Sequence, residues 1–386
     1  MTFGKNAQEL EEIKAIYTAR EIRQQPDLWR ETYEIILNKK EVIQKFIKEN
    51  VDVNTRIVLT GAGTSEHVGK TIYLELNKRL KARVEEIATT DIVSNPEEYI
   101  EKDTKTILVS YGRSGDSPES VGAYELFENN VDNILQIVIT CDKNGALAKK
   151  CRNNEKDLLI LMPEKSNDKG FAMTGSFSCM TLATLLIFDI ENIEKNKEII
   201  DIISSQAEDI LENKWEDVKN LVNYETGRVV YVGSGIFKGL CKEMALKNLE
   251  LTSGKVVTIY DSVLGFRHGP KSIIDDDTLV IVMTSNNEYT KLYDLDLVKE
   301  IYGDSGNHKL AVVCYEDDEQ LKNNCNNYLC INGKNVPDMY KVFNYMLFGQ
   351  MFGYLNSLRL NISPDNPRPD GTVNRVVKGV TIHEFK

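Results

Sequence analysis

The stretch Val109-Ser-Tyr-Gly-Arg-Ser-Gly-Asp-Ser-Pro-Glu-Ser-Val121 decides how the rest of the chain is read. The apolar run from Thr106 to Val109 enters it and predicts a buried strand. Ser110, Ser114, Ser117 and Ser120 then crowd around Gly112 and Gly115. Ser117 followed by Pro118 is a helix start: a serine N-cap with proline at the first helical position. Strand, Gly/Ser loop and helix N-terminus in succession leave backbone N–H groups and the positive end of the helix dipole facing one point, where an anion is stabilised. For a loop with a single such feature, an ordinary N-cap with solvated serines is the better reading. Four serines and two glycines in one junction shift the balance toward phosphate.

Working outward, short apolar runs alternate with helix-sized segments. Arg56-Ile-Val-Leu-Thr60 runs into Gly61-Ala-Gly63-Thr64-Ser65, and Val84–Ile87, Ile134–Ile139 and Leu158–Met162 follow. Such alternation predicts an α/β fold with a parallel sheet flanked by helices. The second half repeats the pattern: Val229–Val232 runs into Gly233-Ser-Gly235, then come Val256–Ile259, Leu279–Val282 and Leu310–Val313. Gly61 to Gly233, Val84 to Val256 and Thr106 to Thr278 are each 172 positions apart, and Ile137 to Leu310 is 173. A steady offset over four strands marks a tandem duplication.

The predicted organisation is a helical prefix over 1–48 broken at Pro26, a first α/β domain over 49–200, a second over 215–360, and a C-terminal arm over 361–386 that carries Lys378. Asn192–Asn223, with Trp215, reads as a charged helical connector, and Pro337–Arg359 as a long buried helix.

The two copies differ in chemistry. Hydroxyl-rich turns are confined to the first: Gly63-Thr64-Ser65, the Ser110–Ser120 loop, and Gly170-Phe-Ala-Met-Thr174-Gly-Ser176-Phe-Ser178. At the C-terminal edge of a parallel sheet, these three segments converge on one phosphate. At the serine loop's counterpart the second copy has Met283-Thr-Ser-Asn-Asn287, without glycine or a Ser-Pro helix start. Elsewhere the second copy has ionisable groups instead: Glu243, Lys247 and Glu250 fall at i, i+4 and i+7 on one face of the predicted helix after Gly239, and His268 lies in Gly265-Phe-Arg-His-Gly-Pro-Lys-Ser272. Glu243 with Lys247 reads as a surface ion pair of roughly 0.3 kcal/mol. His268 reads either as a turn residue or as a functional loop residue.

Composition narrows the function class. The chain of 386 residues is 41% hydrophobic and carries a formal charge of −12. No basic patch or helix-turn-helix pattern points to nucleic acid. Seven cysteines without CxxC spacing argue for a reducing compartment and against zinc. There is no apolar signal core and no run of membrane-spanning length. A cytoplasmic protein without cofactor or metal is the expectation.

Ser110-x-x-x-Ser114-Gly-Asp-Ser117-Pro-Glu-Ser120, with Gly-Ala-Gly63-Thr64-Ser65 before it, resembles the sugar isomerase (SIS) domain. Two such domains in tandem, with Ala245-Leu-Lys247-x-x-Glu250, Arg-His268-Gly-Pro and a late Lys378, resemble the isomerase half of glucosamine-6-phosphate synthase. The fold this implies is a pair of flavodoxin-like α/β/α sandwiches. The synthase's glutaminase domain has no counterpart here, and Thr2 stands where that domain carries its cysteine nucleophile. Thr89-Thr-Asp-Ile-Val-Ser-Asn-Pro96 and the Arg-Ser-Gly-Asp-Ser-Pro-Glu-Ser loop are similar to the galactosamine-6-phosphate deaminase/isomerase group, formerly named for tagatose-6-phosphate ketose/aldose isomerisation.

The resemblance implies roles residue by residue. Glu250 moves the proton between C1 and C2, His268 opens the sugar ring, Lys378 lies near C1 and C2 of the open-chain sugar, and Lys247 matches a helix lysine of the same site. Thr64, Ser65, Arg113, Ser114 and Ser117 hold the phosphate, a set that the hydroxyl-rich turns extend to Gly63, Ser110 and Thr174. An arginine four residues before the terminal lysine of the synthase is Asn374 here, with Arg375 beside it. The resemblance further implies a phosphorylated amino sugar or ketohexose phosphate as ligand, and a homo-oligomer whose active site is shared between subunits. The expected reaction is conversion of galactosamine 6-phosphate to tagatose 6-phosphate plus ammonia. Simple aldose–ketose isomerisation and deglycation use the same kind of residues and stay as alternatives, while the retained Glu250, His268 and Lys378 and the absence of a DNA-binding pattern argue against a non-catalytic sugar-phosphate sensor.

Overall fold

The computed structural model describes residues 1–377 and 379–385. The chain folds as two compact units: one comprises residues 1–26, 170–172 and 201–369, the other 27–169, 173–200 and 370–386.

The second of these contains the first sheet, with strands β1 (Arg56–Thr60), β2 (Arg83–Glu86), β3 (Thr106–Gly112), β4 (Ile134–Thr140) and β5 (Leu158–Leu161). Its order is β2-β1-β3-β4-β5, parallel throughout. β1 and β3 are buried along their whole length, as central strands covered on both faces must be. The other unit contains β6 (Arg228–Gly233), β7 (Val257–Asp261), β8 (Thr278–Met283), β9 (Lys309–Cys314) and β10 (Asn327–Cys330). Read from β7, its order β7-β6-β8-β9-β10 copies that of the first sheet, again parallel. The duplication extends to register: Arg56 pairs with Thr106 and Arg228 with Thr278.

Each first strand turns into its helix at a glycine of the same backbone geometry. Gly63 has φ 57° and ψ −126°, and Gly235 has φ 59° and ψ −124°. An L side chain does not adopt this conformation, so the Gly-x-Gly turns are dictated by backbone sterics. The order of both sheets places a switch point between β1 and β3, and again between β6 and β8, where crevices form at the strands' C-terminal ends.

Three features depart from the sequence reading. β10 was not expected: it is an edge strand of four residues, half-buried, and its polar flanks hide it. The N-terminal segment forms four helices, Ala7–Glu12, Ile16–Arg23, Gln25–Asn38 and Lys40–Asn50. Pro26 lies in the first turn of the third, so the break falls just before it, where a proline costs no hydrogen bond. The helix Ile236–Leu251 is buried by the long helix Asp338–Arg359. Added Cβ atoms at Gly349 and Gly353 would come within 2.6 Å of Met244 and 3.3 Å of the Lys247 carbonyl. Glycines four apart let these two backbones approach. Helix Gly175–Phe188 is buried at every position. No single helix among the described residues is long and apolar enough to cross a membrane.

Candidate active site

The first sheet's switch point holds a cavity of about 110 Å³. Its wall is made by Ala62 and Ser65 after β1, by Gly112–Gly115, Ser117 and Ser120 after β3, by Met173, and by Arg375–Val377 of the C-terminal arm. Two helices begin here, Thr64–Arg79 and Pro118–Asn130, and their N-terminal ends favour negative charge. The Ser117 hydroxyl caps the second helix by accepting from the Ser120 amide at 3.2 Å, and donates to the Ser120 hydroxyl at 2.7 Å. Gly115, at φ 69°, turns the loop back so that its carbonyl accepts from Leu147 N. The Arg113 side chain is buried, and one of its Nη2 hydrogen bonds goes to the Arg375 carbonyl at 2.7 Å. Hydroxyls, two guanidinium-bearing residues and two helix N-termini in one small cavity suit a dianion such as a phosphate monoester.

Of the residues expected to hold phosphate, Ser65, Arg113, Ser114 and Ser117 line this cavity. Gly63 and Thr64 form the turn and first helical residue beside it. Ser110 lies within β3, buried, with a hydroxyl that has no partner. Thr174 is withdrawn from it: its amide and hydroxyl donate to Asp168 at 2.9 and 3.2 Å.

Asp168 is the functional neighbour that motif reasoning missed. Its fully buried carboxylate also accepts from the Gly175 and Ser176 amides at 3.1 and 2.9 Å and from the Ser176 hydroxyl at 2.5 Å. A fixed internal anion therefore occupies the N-terminus of helix Gly175–Phe188 and holds the Met173 wall. The Asp168 carbonyl in turn accepts from the Arg375 guanidinium, which ties the arm to the loop. The signal was an aspartate six residues ahead of the Thr-Gly-Ser helix start.

The other unit carries the acid–base cluster. Lys247 Nζ donates to Glu250 Oε2 at 2.6 Å and lies 3.5 Å from Glu243 Oε1. The Glu243 and Lys247 side chains are 0% and 1% exposed, and that of Glu250 27%. The expectation of a surface ion pair for Glu243 and Lys247 is thus corrected: the long helix covers this face. The half-open Glu250 carboxylate is the member of the three that a ligand can reach.

His268 lies in the same unit, on the turn after helix Val263–Phe266, with its ring exposed. No described contact joins it to Glu250. The loop is braced by Arg267 on Glu300 at 2.8 Å and by Lys271 on Glu300 and Asp304 at 2.5 and 2.7 Å. Those two carboxylates hold the Lys271 ammonium above its ordinary pKa, against a desolvation effect that lowers it. Lys378 lies outside the described residues. Among the described residues no group of three or more His, Cys, Asp or Glu side chains is arranged to hold a metal ion.

Two copies of one parallel sandwich, one with an anion cavity and the other with a Glu–Lys–Glu cluster whose Glu250 alone reaches the surface, define a duplicated α/β protein of the phosphate-ester-handling kind. The chain belongs to the SIS domain family, whose sequence profile matches residues 51–189 and 224–351. It is 39% identical over 383 residues to the D-galactosamine-6-phosphate deaminase AgaS of Shewanella sp. (strain ANA-3), covering 98% of this chain and 95% of that protein. A crystal structure from Clostridium novyi NT superposes with a TM-score of 0.98 at 47% identity, covering 100% of this chain and 99% of that one. The tagatose-6-phosphate ketose/aldose isomerase structure from Escherichia coli gives a TM-score of 0.86 at 34% identity, covering 96% and 97%.

Proposed function

We propose that the chain is a deaminase/isomerase that converts galactosamine 6-phosphate to tagatose 6-phosphate and ammonia. The observation that carries this reading is the cavity of Ser65, Arg113, Ser114, Ser117 and Ser120, sized and charged for a phosphate monoester. The name of the Shewanella relative supports the choice of sugar. Phosphate anchoring is assigned to that cavity, so that binding energy remote from the reacting carbons positions C1 and C2.

His268 is assigned to ring opening and Glu250 to proton transfer. Glu250 removes the C2 proton of the open-chain aldehyde and returns it to C1. C1 becomes an alcohol and C2 an imine, which water hydrolyses to the ketone with loss of ammonia. A positioned base of this kind is worth roughly 10²–10⁴ in rate. The partly open carboxylate of Glu250, held by Lys247, supports the assignment. Lys247 orients Glu250, and Lys378 is assigned to the open-chain sugar. The exposed ring of His268 supports its use by a second copy of the chain in a cytoplasmic homo-oligomer with shared sites.

The Escherichia coli structure's name favours a second reading, ketose–aldose isomerisation without loss of nitrogen. One assay separates them. Purified protein offered galactosamine 6-phosphate is expected to release ammonia stoichiometrically with ketose phosphate, and glucosamine 6-phosphate to react poorly. Interconversion of a neutral aldose and ketose phosphate without ammonia from either amino sugar moves the assignment to the second reading. Glu250→Gln is expected to abolish exchange of the C2 proton with solvent while phosphate-sugar binding persists.

A further inference from the structure

Cys314 ends β9 and Cys330 ends β10, and the two are direct partners in the parallel register. Neighbouring strands run about 4.8 Å apart, inside the Cα separation of roughly 4.4–6.8 Å that a disulfide spans. Paired residues of a parallel ladder point to the same face, and both side chains belong to one apolar cluster, Cys314 within it and Cys330 packed against it. Cys314 is buried, whereas Cys330, on the edge strand, is half-buried and within reach of solvent. We propose that Cys314 and Cys330 form a redox-active dithiol that a hydroperoxide converts to an intramolecular disulfide, reversibly.

The chemistry balances within the pair and its oxidant. The Cys330 thiolate attacks the distal oxygen of the hydroperoxide, breaking the O–O bond. This leaves a sulfenic acid on Cys330 and an alcohol, or water when the oxidant is hydrogen peroxide. Cys314 sulfur then attacks the Cys330 sulfur and expels water. Two thiols lose two electrons and two protons, and the peroxide gains them. A thiol source such as dithiothreitol reverses the step by exchange.

The environments sort the roles. The neighbouring Cys314 thiol draws the Cys330 thiol down to about 7, against a desolvation effect that raises it. Accepting that role pushes the Cys314 thiol far up, and burial adds to it. Burial pushes Cys141 and Cys151 up to about 12, Cys325 up to about 11, and Cys179 and Cys241 up as well. A peroxide reaches the half-buried Cys330 before the buried Cys314, and thiolate is the reactive form, so Cys330 is the nucleophile and Cys314 the resolving thiol. The bond would fasten the short outer strand to β9 at the sheet's C-terminal edge. There Ile331 and Asn332 already donate to the Cys314 and Tyr315 carbonyls at 3.0 and 3.1 Å.

The test treats the reduced full-length protein with hydrogen peroxide, blocks remaining thiols by alkylation, and maps the peptides by mass spectrometry. A Cys314–Cys330 cross-linked peptide, two hydrogens lighter and lost on reduction, is expected. Before oxidation Cys330 should alkylate about tenfold faster than Cys325. Cys325→Ser should leave the cross-link intact. Cys314→Ser should stop at a sulfenic acid on Cys330 that dimedone traps. Free alkylation of both thiols after peroxide overturns the proposal, as does a bond from Cys330 to Cys325 or to a second chain. The wild-type map decides this alone should a variant fail to fold.

Discussion

The Lys247 ammonium lies 2.6 Å from Glu250 Oε2 and is itself 1% exposed, so a fully buried cation holds a half-exposed carboxylate on one face of one helix. The ordering matters because Glu243, at 3.5 Å on the inner side, is completely buried. One charge serves two carboxylates that differ in access to solvent.

The three residues should therefore separate in mutagenesis. Lys247→Met removes the cation facing Glu243 and should cost about 3–5 kcal/mol of stability, the usual price of breaking a buried pair. Glu250→Gln keeps an acceptor for Lys247 and should change stability by less than about 1 kcal/mol while lowering kcat by roughly 10²-fold or more. Urea unfolding and steady-state kinetics on both variants check this. Equal loss of stability in the two would contradict the division.

Gly63 and Gly235 share a backbone conformation that is closed to alanine. Either Gly→Ala change should cost about 2 kcal/mol. Only Gly63→Ala should also weaken the protection that inorganic phosphate confers, because its turn borders the cavity. Thermal melts with and without phosphate distinguish the two.

Five hydrogen bonds converge on the Asp168 carboxylate. Asp168→Ala would remove the acceptor shared by three helix N-terminal amides and two buried hydroxyls. A loss of about 3 kcal/mol is expected from charge-assisted bonds of this kind. Phosphate binding should weaken with it, as Met173 lines the cavity. Calorimetric titration of phosphate into a folded Asp168→Asn variant tests the second half even if the alanine variant is too unstable.

Asp294 supplies a pH prediction. Burial pushes its carboxyl up to about 6, against hydrogen bonds from Ser285 N and the Ser234 hydroxyl that lower it. The folded value lies above the ordinary 3.8, so the native state holds this proton more tightly than the unfolded chain. The stabilisation is complete below about pH 4 and is lost as pH rises through about 6, a change of up to ~3 kcal/mol. Asp294→Asn should abolish that part of the slope. Urea midpoints of variant and wild type should diverge in the variant's favour between pH 4 and 7, and parallel curves would refute the assignment.

The sequence by itself determined the repeating architecture and the turns that make the anion cavity. A buried parallel strand is an apolar run, a helix start is Ser-Pro, and a forbidden backbone conformation demands glycine, so each is written within a few residues. Ser65, Arg113, Ser114 and Ser117 were legible for that reason. Only the tertiary structure decided which polar residues are buried and with whom. Glu243 and Lys247 have one spacing whether their helix face meets water or a second helix, and it is the glycine-lined approach of Asp338–Arg359 that removes the water. Thr174 and Asp168 pair across a loop, and Cys314 meets Cys330 through strand register across 16 positions of chain. Burial and long-range pairing are set by which surfaces pack together, and local periodicity carries no record of that choice.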